Sequence, residues 1–531
     1  MDAIRSRKEK VELLSSETWD CVFIGGGSVG SGAALDASLR GLKTLLIERD
    51  DFSSGTSSKS TKLIHGGVRY LPQFQFSLIK ESLSERKILM KNAPHLVKPI
   101  KFLLPCYELF EIPYYNLGLS FYDLLAGESG LPLHKKMGVQ ETLRELPYLK
   151  KKKLKGSIAY YDATFNDSRL NLALARAAEM EGALVLNKLE LLSFQKQDGK
   201  IHSASVLDRI SGKSYTINSK LFVNTTGPGL DRIRSLDDDS IKPILRMSKG
   251  VHLVFPLSKA SIKHGMILPK TQDGRVVFLI PWENHLILGT TDTPVDDPLS
   301  EPHVEKEDIE YLLETISPYL EIPFQKSEIL SSFAGFRPLI SINKTGETKS
   351  LSREEATIES PSGLISMGGG KWTTYRKISE RLVNRVSIRL NATTSSRTEK
   401  YLLPGTKGYV DNLYVDISQK YGIDTEVAKR LRDAYGEEVF SILGEKPVEL
   451  KGIEGYFKEE VRFFISKEFA ESVVDILGRR FRILFCNLEL SKKFIEPILE
   501  ILAEMKKWDS NQIKKERIES LKTIDVLMGK I

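Results

Sequence analysis

The chain carries the stretch Asp20-Cys-Val-Phe-Ile-Gly-Gly-Gly-Ser-Val-Gly30 close to its first residues. The apolar residues before the glycines are typical of a buried strand. Gly25, Gly27 and Gly30 have the G-x-G-x-x-G spacing that brings a helix N-terminus to a pyrophosphate. Glu48 ends the next apolar run, where a carboxylate can accept hydrogen bonds from ribose hydroxyls. Strand, glycine turn, Ala-rich helix, second strand and acid therefore predict an adenine-dinucleotide site.

Length and composition limit the classes of protein to consider. A chain of 531 residues is too long for one ordinary domain, and about three folding units are expected. No stretch reaches the ~18 consecutive apolar residues of a membrane-spanning helix, so any membrane contact should be peripheral. The net charge of +7 suits an anionic substrate or an acidic membrane surface, although an ordinary solvated surface explains it as well. We expect no nucleic-acid partner.

The first residues and the cysteines indicate a reducing compartment. Residues 1–17 mix Arg, Lys and Glu without an apolar core, so neither a secretory signal nor a transit peptide is expected. Cys21, Cys106 and Cys486 lack the paired spacings of metal or redox motifs. We therefore expect a cytoplasmic protein without a metal site.

Strand and turn patterns recur along the chain. Alternating residues around Asp198-Gly199 predict a small antiparallel sheet. The buried run that begins at Leu221 ends in Thr226-Gly227, which predicts a second dinucleotide contact, with a plain strand–loop junction as the alternative. The run from Leu364 to Thr374 predicts a strand, a glycine turn and a helix. Residues 241–343 are rich in strand patterns, whereas residues 400–531 have helical periodicity.

Further motifs follow in a fixed order. They are Ser54-Gly-Thr-Ser-Ser-Lys-Ser-Thr-Lys-Leu-Ile-His-Gly-Gly-Val-Arg-Tyr-Leu71, Tyr160-Tyr-Asp162, Asn166-Asp-Ser-Arg-Leu-Asn171, Lys249-Gly-Val-His252, Gly289-Thr-Thr-Asp292, Gly335-Phe-Arg-Pro338 and Gly369-Gly-Lys-Trp-Thr-Thr-Tyr-Arg376. In this order they are specific, and over nearly its whole length the chain resembles the quinone-linked, FAD-dependent glycerol-3-phosphate dehydrogenases. It departs from the family at Thr225, where Ala is usual, and lacks a calcium-binding tail, which favours a bacterial enzyme.

The resemblance implies an α/β (α+β) fold in three parts. These are a Rossmann-like FAD-binding domain, an interleaved mixed-sheet substrate domain and an all-helical C-terminal cap domain. We place the FAD-binding domain at residues 18–95, 156–240 and 345–395, the substrate domain at 96–155 and 241–344, and the cap at 400–531.

The cofactor implied by the resemblance is FAD. We expect it to be bound non-covalently, because no Cys or His stands out as a flavin-linking residue. The residues expected to hold it are Gly25, Gly27, Gly30, Glu48, Thr56, Ser57, Ser58, Ser60, Lys62, Leu63, His65, Thr226, Gly227, Gly369, Gly370, Lys371 and Thr373.

Oxidation of the C2 alcohol of sn-glycerol 3-phosphate requires a hydride acceptor and a base. His252 is the expected base, with hydrogen-bonding support of the substrate as the alternative. His65 is either a second catalytic residue or a residue that holds the loop around it by a hydrogen bond to the backbone. Arg337 is expected to stabilise phosphate or alkoxide through its planar fork. Arg69 and Lys371 supply further positive charge and Tyr70 and Thr290 hydroxyl groups, although a structural salt network would use the same charged residues.

The electron acceptor implied by the resemblance is a membrane quinone. Residues 98–136 contain seven aromatic residues bracketed by Lys98, Lys101, Lys135 and Lys136, a pattern that suits an anionic membrane surface or ordinary core packing equally. We expect peripheral attachment to the cytoplasmic face of the inner (plasma) membrane, and a homodimer is possible. The alternatives are an oxygen-dependent glycerol-3-phosphate oxidase, a flavin-dependent amine or amino-acid oxidoreductase and a non-catalytic flavin sensor.

Overall fold

The structure is a computed structural model that describes residues 6–68, 75–127, 130–260, 262–268, 271, 274–295, 301–341 and 355–529. Arg69 and Tyr70, two predicted substrate ligands, lie outside the described residues.

The secondary structure alternates between strands and helices until residue 390 and is mainly helical afterwards. The strands are β1 (Thr18–Trp19), β2 (Cys21–Ile24), β3 (Thr44–Ile47), β4 (Leu63–Ile64), β5 (Val97–Cys106), β6 (Lys135–Met137), β7 (Gly156–Phe165), β8 (Leu184–Leu186), β9 (Leu189–Gln197), β10 (Lys200–Asp208), β11 (Ser214–Ser219), β12 (Phe222–Asn224), β13 (Leu245–Pro256), β14 (Gly265–Leu268), β15 (Val277–Trp282), β16 (His285–Gly289), β17 (Thr293–Val295), β18 (Ser331–Ile340), β19 (Ala356–Glu359), β20 (Ile365–Gly368), β21 (Glu449–Leu450) and β22 (Ile453–Phe457). The helices are α1 (Arg7–Ser16), α2 (Ser28–Leu39), α3 (Phe76–Asn92), α4 (Glu111–Ala126), α5 (Val139–Glu145), α6 (Asp167–Met180), α7 (Leu230–Asp237), α8 (Lys306–Ile316), α9 (Tyr375–Arg389), α10 (Leu413–Tyr421), α11 (Thr425–Tyr435), α12 (Val439–Leu443), α13 (Lys458–Lys467), α14 (Val473–Asp475), α15 (Ile483–Cys486), α16 (Leu488–Lys506) and α17 (Ser510–Met528).

A parallel sheet carries the dinucleotide motif. Its strand order is β19-β20-β12-β2-β3-β8, and only the edge strand β19 is antiparallel to its neighbour. Both faces are covered: Phe23 and Leu46 belong to a core shared with α2, α6 and α9, whereas Val22 and Leu45 pack towards the small antiparallel sheet. Burial on both faces explains why β2 and β3 are wholly apolar apart from Thr44 and Cys21. The Rossmann-like fold is confirmed.

The small antiparallel sheet confirms the hairpin expected around residue 198. Its strand order is β1-β11-β10-β9, and Gln197 pairs with Lys200 across a two-residue turn. Asp198 and Gly199 both have positive φ, at 50° and 75°. These are the backbone conformations that an Asp-Gly hairpin turn requires.

Most strands of the large mixed sheet come from residues 96–155 and 241–344, the region expected to bind substrate. Its path is β17-β13-β16-β15-β14-β5-β7-β4, and β18 pairs with β13 over the register Leu245↔Ile340 to Val254↔Ser331. Strand β7 pairs with β5 along its whole length, from Val97↔Phe165 to Cys106↔Gly156. The first residues that we assigned to the second FAD-binding segment, from 156 to 165, therefore lie in the large sheet, because the β5–β7 pairing holds them there.

The C-terminal part is helical, as expected, but not entirely so. Helices α10 to α17 share one apolar core, and a short ribbon, β21–β22, is inserted among them. Chain reversal at Gly452, whose φ is +74°, lets two short strands pair where helical periodicity alone predicts only helices. Ion pairs between Arg480 and Asp51 and between Arg169 and Glu468 join this part to the FAD-binding part.

Candidate active site

The glycine turn places a helix N-terminus at the C-terminal edge of the parallel sheet. Gly25 has φ +105°, and a Cβ on Gly30 would lie 1.9 Å from the Gly25 carbonyl oxygen, so no larger residue fits there. Helix α2 starts at Ser28 with Gly27 as its N-cap. Its first backbone N–H groups and its positive dipole end suit a pyrophosphate.

Glu48 and Thr226 lie beside this turn. The Glu48 carboxylate accepts hydrogen bonds from the backbone N–H groups of Gly26 (2.7 Å) and Asp50 (2.9 Å). Parallel pairing of Asn224 with Ile24 brings Thr226 to the turn, as expected. The Thr225 hydroxyl contacts the carbonyl oxygens of Ile24 and Gly25, each at 3.0 Å. The departure from Ala at this position therefore fits the local packing.

The segment Thr56–His65, here called the flavin loop, connects the two sheets. The Thr56 hydroxyl donates to the Phe336 carbonyl in β18 (2.8 Å), and the Ser57 hydroxyl accepts from the Ser28 N–H at the start of α2 (3.0 Å). The Ser60 hydroxyl donates to Asp167 (2.7 Å). Lys62 was expected to contact FAD, but its amine lies in a buried cluster with Asp167, so any contact with the cofactor would involve its backbone.

A second glycine turn lies against the same loop. Gly369 and Gly370 have φ +79° and +86°, and Lys371 is the N-cap of a 3₁₀ turn that leads into α9. The Trp372 indole N–H donates to the Ser57 carbonyl (2.9 Å), and the Thr373 hydroxyl donates to the His65 carbonyl (3.4 Å). The structure thus brings Lys371 and Thr373 next to the flavin loop, as expected. Leu63 belongs to β4 within the flavin loop, and Gly227 begins a short 3₁₀ turn after β12.

One face of the large sheet presents His252 to the flavin loop. The His252 ring stacks on Phe333, with centroids 4.8 Å apart, and its Nε2 lies 2.9 Å from the Thr61 hydroxyl oxygen. A Cβ on Gly289 would lie 2.3 Å from His252 Cδ2, so the strand next to β13 also closes on the ring. Burial, together with the charges of Lys62 and Arg337, holds the pKa of His252 well below its ordinary value. The ring is therefore neutral and held in one position.

Arg337 lies on the same face. Its partner across the strands is Ser248, four residues before His252, and residues four apart in a strand share a face. The guanidinium donates to the Thr290 hydroxyl (2.9 Å) and the Thr291 carbonyl (3.0 Å) and lies 3.5 Å from Asp292. The Arg337 side chain is 23% exposed. Arg337 and Thr290, both expected substrate ligands, are thus adjacent at the edge of the sheet face that carries His252.

Sequence reasoning missed several residues of this site. Thr61 and Phe333 contact His252 directly, and Asp167 with Arg482 anchors the flavin loop. Thr61 and Asp167 belong to motifs quoted above, so their positions carried a signal but their partners did not. Phe333 and Arg482 had no signal, since their partners lie in distant segments of the chain.

The donor set fits FAD. Two helical N-termini at glycine turns face one loop, and an acidic residue ends β3 beside the first turn. Gly25, Gly27, Gly30, Glu48 and Thr226 would hold the adenosine diphosphate part. The flavin loop, Gly369 and Lys371 would hold the isoalloxazine part.

Comparisons with known proteins agree with this geometry. Residues 20–376 match the family model of the FAD dependent oxidoreductases, and residues 396–513 match the C-terminal domain of alpha-glycerophosphate oxidase. The chain is 39% identical to the mitochondrial glycerol-3-phosphate dehydrogenase of Bos taurus over 96% of this chain and 73% of the relative. It belongs to the FAD-dependent glycerol-3-phosphate dehydrogenase family.

Other relatives support the same assignment. The mitochondrial glycerol-3-phosphate dehydrogenase of Arabidopsis thaliana is 38% identical, with coverage of 96% of this chain and 87% of the relative. The crystal structure of the glycerol-3-phosphate dehydrogenase from Bacillus halodurans, complexed with FAD, superposes with a TM-score of 0.81 at 29% identity, over 98% of this chain and 97% of that chain. The protein is an FAD-dependent glycerol-3-phosphate dehydrogenase, and FAD is its cofactor.

Proposed function

We propose that this dehydrogenase converts sn-glycerol 3-phosphate into dihydroxyacetone phosphate with His252 as the base and passes the electrons to a membrane quinone. The proposal is supported chiefly by the position of His252, a neutral ring fixed between Phe333, Gly289 and Thr61 and facing the loop that would hold the flavin. When bound, FAD supplies a hydride acceptor at its N5 atom.

His252 takes the proton of the C2 hydroxyl in this proposal. Its Nδ1 has no hydrogen-bond partner among the described residues, whereas its Nε2 contacts the Thr61 hydroxyl. If Thr61 accepts the Nε2–H, the Nδ1 lone pair is free to accept a proton. The Thr61 hydroxyl then stays hydrogen-bonded to the imidazolium that forms and orients it, as the partner of a catalytic histidine does in other enzymes.

Arg337 and Lys371 stabilise negative charge on the substrate. The Arg337 guanidinium is partly exposed and has a rigid planar fork that suits phosphate or alkoxide oxygens. Lys371 precedes a helical N-terminus and adds a second positive charge from the opposite glycine turn. Thr290, held by Arg337, contributes a hydroxyl beside it. Arg69 and Tyr70 stay predicted ligands.

Substrate and acceptor are tested by two measurements on the purified holoenzyme. Anaerobic mixing with sn-glycerol 3-phosphate should bleach the flavin absorbance, whereas the sn-1 enantiomer should not. Turnover should require a quinone analogue and form little peroxide in air. Peroxide formed in equal amount to oxidised substrate would instead support the oxidase, which the match of residues 396–513 keeps as the second candidate.

An exposed apolar surface supports delivery of electrons to a membrane. Tyr114, Leu117, Phe121 and Leu124 recur at helical spacing along α4, and all are at least 51% exposed. Leu119 and Tyr122, on the other face of α4, are buried. The aromatic residues of 98–136 are therefore divided between the core and the surface. Phe102 and Tyr122 are core residues, whereas Phe110, Tyr114 and Phe121 lie at the surface.

Exposed lysines follow α4, and the first of them come directly after His134, which bonds to Asp123 on that helix. Lys135 and Lys136 follow α4 and are exposed, and the exposed run Lys151–Lys153 is tied to the strand before α4 by a bond from the Lys155 N–H to the Cys106 carbonyl (2.8 Å). Lys98 and Lys101 pair with Asp433 and Glu145, which fits the alternative of a charged rim around core residues. Apolar side chains bordered by lysines suit an anionic bilayer. None of the helices in the described parts of the chain is long and apolar enough to cross a membrane.

Vesicle sedimentation tests this attachment. Leu124→Asp should lower binding of the holoenzyme to anionic vesicles at least tenfold and slow turnover with a quinone embedded in them. Ile388→Asp is the matched control, because Ile388 is 75% exposed and Leu124 74% exposed, but Ile388 lies on α9. Equal binding by both variants would remove α4 from the proposal. Equal binding to neutral and anionic vesicles would remove the lysines.

A further inference from the structure

A buried charge cluster lies behind the flavin loop and joins three distant parts of the chain. Lys62 comes from the loop, Asp167 from the start of α6 and Arg482 from the C-terminal domain. Their side chains are at most 1% exposed. Replacement of such a cluster by apolar residues is often neutral or stabilising, so a buried ion cluster is weak evidence of a stabilising role.

Arg482 binds the flavin loop directly. It follows a π-helical turn, Ile476–Arg480, and has φ +66°. One end of its guanidinium donates to the Gly478 carbonyl (2.8 Å). The other end donates to the Ser58 carbonyl (3.0 Å) and to Asp167 Oδ1 (3.1 Å). The C-terminal domain thus holds a backbone group of the loop.

The loop reaches the same acceptors from its own side. The Lys62 amine donates to the Ser58 carbonyl (2.7 Å) and to Asp167 Oδ2 (2.6 Å), and the Ser60 hydroxyl also donates to Asp167. Although burial alone would raise the pKa of Asp167, the charges of Lys62 and Arg482 lower it below its ordinary value. Asp167 is therefore an anion that binds Ser60 and Lys62, while Lys62 and Arg482 together hold the Ser58 carbonyl.

The cluster is connected to the base by two contacts. Thr61, which lies between the two anchored residues Ser60 and Lys62, contacts His252 Nε2 at 2.9 Å. The Lys62 amine lies 4.7 Å from the centre of the Phe333 ring, on which His252 stacks. The loop conformation that brings Thr61 to His252 is the conformation that Arg482 and Asp167 hold.

We propose that Arg482 is a positioning residue of the dehydrogenase site, through which the C-terminal domain fixes the loop Ser58–Lys62 and places Thr61 on His252. This inference rests on the role proposed above for His252. It gives the C-terminal domain a part in catalysis without contact with substrate.

The test compares Arg482→Lys with Arg430→Lys in the holoenzyme. Arg430 lies in the same domain, but its bonds go to Glu460 (2.8 Å from each terminal nitrogen) and the Gly455 carbonyl, both within that domain. Lysine keeps the charge but cannot hold Ser58, Gly478 and Asp167 together. Arg482→Lys should lower kcat up to about fivefold, the factor expected for loss of the Thr61–His252 contact, with little change in KM, whereas Arg430→Lys should stay within twofold.

Two further measurements separate positioning from general stability. Peptides covering residues 56–64 should exchange amide hydrogen at least tenfold faster in Arg482→Lys and at the wild-type rate in Arg430→Lys. The acid limb of the flavin-reduction rate should move to higher pH in Arg482→Lys, because burial is the largest cause of the lowered His252 pKa and a loosened loop admits water.

A second variant covers failure of Arg482→Lys to fold. Ser60→Ala removes one bond to Asp167 and leaves the three buried charges in place, and it should give the same changes to a smaller degree. Unchanged exchange of residues 56–64 in either folded variant, or equal loss of kcat in Arg430→Lys, would overturn the proposal. Because exchange does not depend on chemistry, it tests the loop anchor even if His252 is not the base.

Discussion

The two polar clusters that meet at Phe333 differ in whether their acceptor atoms have hydrogen-bond partners. Behind the loop, Asp167 accepts hydrogen bonds from Ser60, Lys62 and Arg482 and is closed to solvent. On the face of the large sheet, His252 Nδ1 has no partner in the described part of the chain and Arg337 is partly exposed. Buried polar groups are normally satisfied. We therefore expect the substrate to supply the missing partner of His252, whereas the cluster behind the loop holds the backbone of Ser58.

The largest expected effect is on His252. His252→Asn keeps some hydrogen bonding but cannot accept a proton, so flavin reduction by substrate in single-turnover experiments should slow about 10²-fold or more. FAD content should stay normal, because His252 contacts the loop from the substrate side. Fast reduction in this variant would transfer the role of base to another group, and His65 would be the next residue to replace.

Arg337 should be the next most sensitive position. A lysine at residue 337 keeps the charge but loses the planar fork that contacts Thr290 and Thr291, so kcat/KM should fall more than tenfold, or about 1.4 kcal/mol of transition-state stabilisation. Steady-state kinetics with sn-glycerol 3-phosphate measure the loss. Near-wild-type kinetics would show that Arg337, like Arg482, makes no contact with the substrate.

Thr61 should have a smaller effect. Thr61→Val removes only the hydroxyl that contacts His252, and the loss of one hydrogen bond of about 1 kcal/mol predicts about a fivefold lower rate of flavin reduction. Thr61→Ser keeps the hydroxyl and should restore most of the rate. If serine fails to rescue, the methyl group and not the hydrogen bond is what matters at this position.

The smallest effect is expected on the pH profile. Since the His252 pKa lies well below the ordinary value of about 6.5, the ring stays neutral on mild acidification, and flavin reduction at pH 6 should stay within about twofold of its value at pH 7.5. A marked fall between these pH values would show that the ring is not desolvated in the holoenzyme.

His95 provides the comparison for stability against pH. Burial lowers its pKa to about 3, so below about pH 6.5 the unfolded chain binds a proton that the folded chain does not, and stability falls as the pH decreases towards 3. His95→Gln should reduce this acid sensitivity of the thermal midpoint without moving the pH profile of flavin reduction. A shift in that profile would contradict the assignment of the pH dependence of flavin reduction to His252.

The sequence predicted those parts of the site that are contiguous in the chain. The dinucleotide site could be inferred from Gly25 to Glu48 because strand, turn, helix and acid follow one another. The motifs around His252 and Arg337 could be recognised from their own few residues. The Arg482 cluster was not, since charged side chains are expected at the surface and its partners Ser58 and Asp167 lie hundreds of residues away. The pairing of Lys98 with Asp433 had no signal in the sequence for the same reason, since Asp433 lies in a distant part of the chain.

The order of strands in the parallel sheet constrains how the chain folds. The central strand β2 pairs through Val22 with Phe222, and β12 pairs in turn through Val223 with Ile365. Contacts between such distant residues form late, because the intervening chain must be closed into loops first. The first glycine turn therefore gains its Thr226 wall only after the ribosome has passed residue 226, and its second glycine turn only after residue 370. During translation, the dinucleotide site is therefore completed by segments that the ribosome synthesises later.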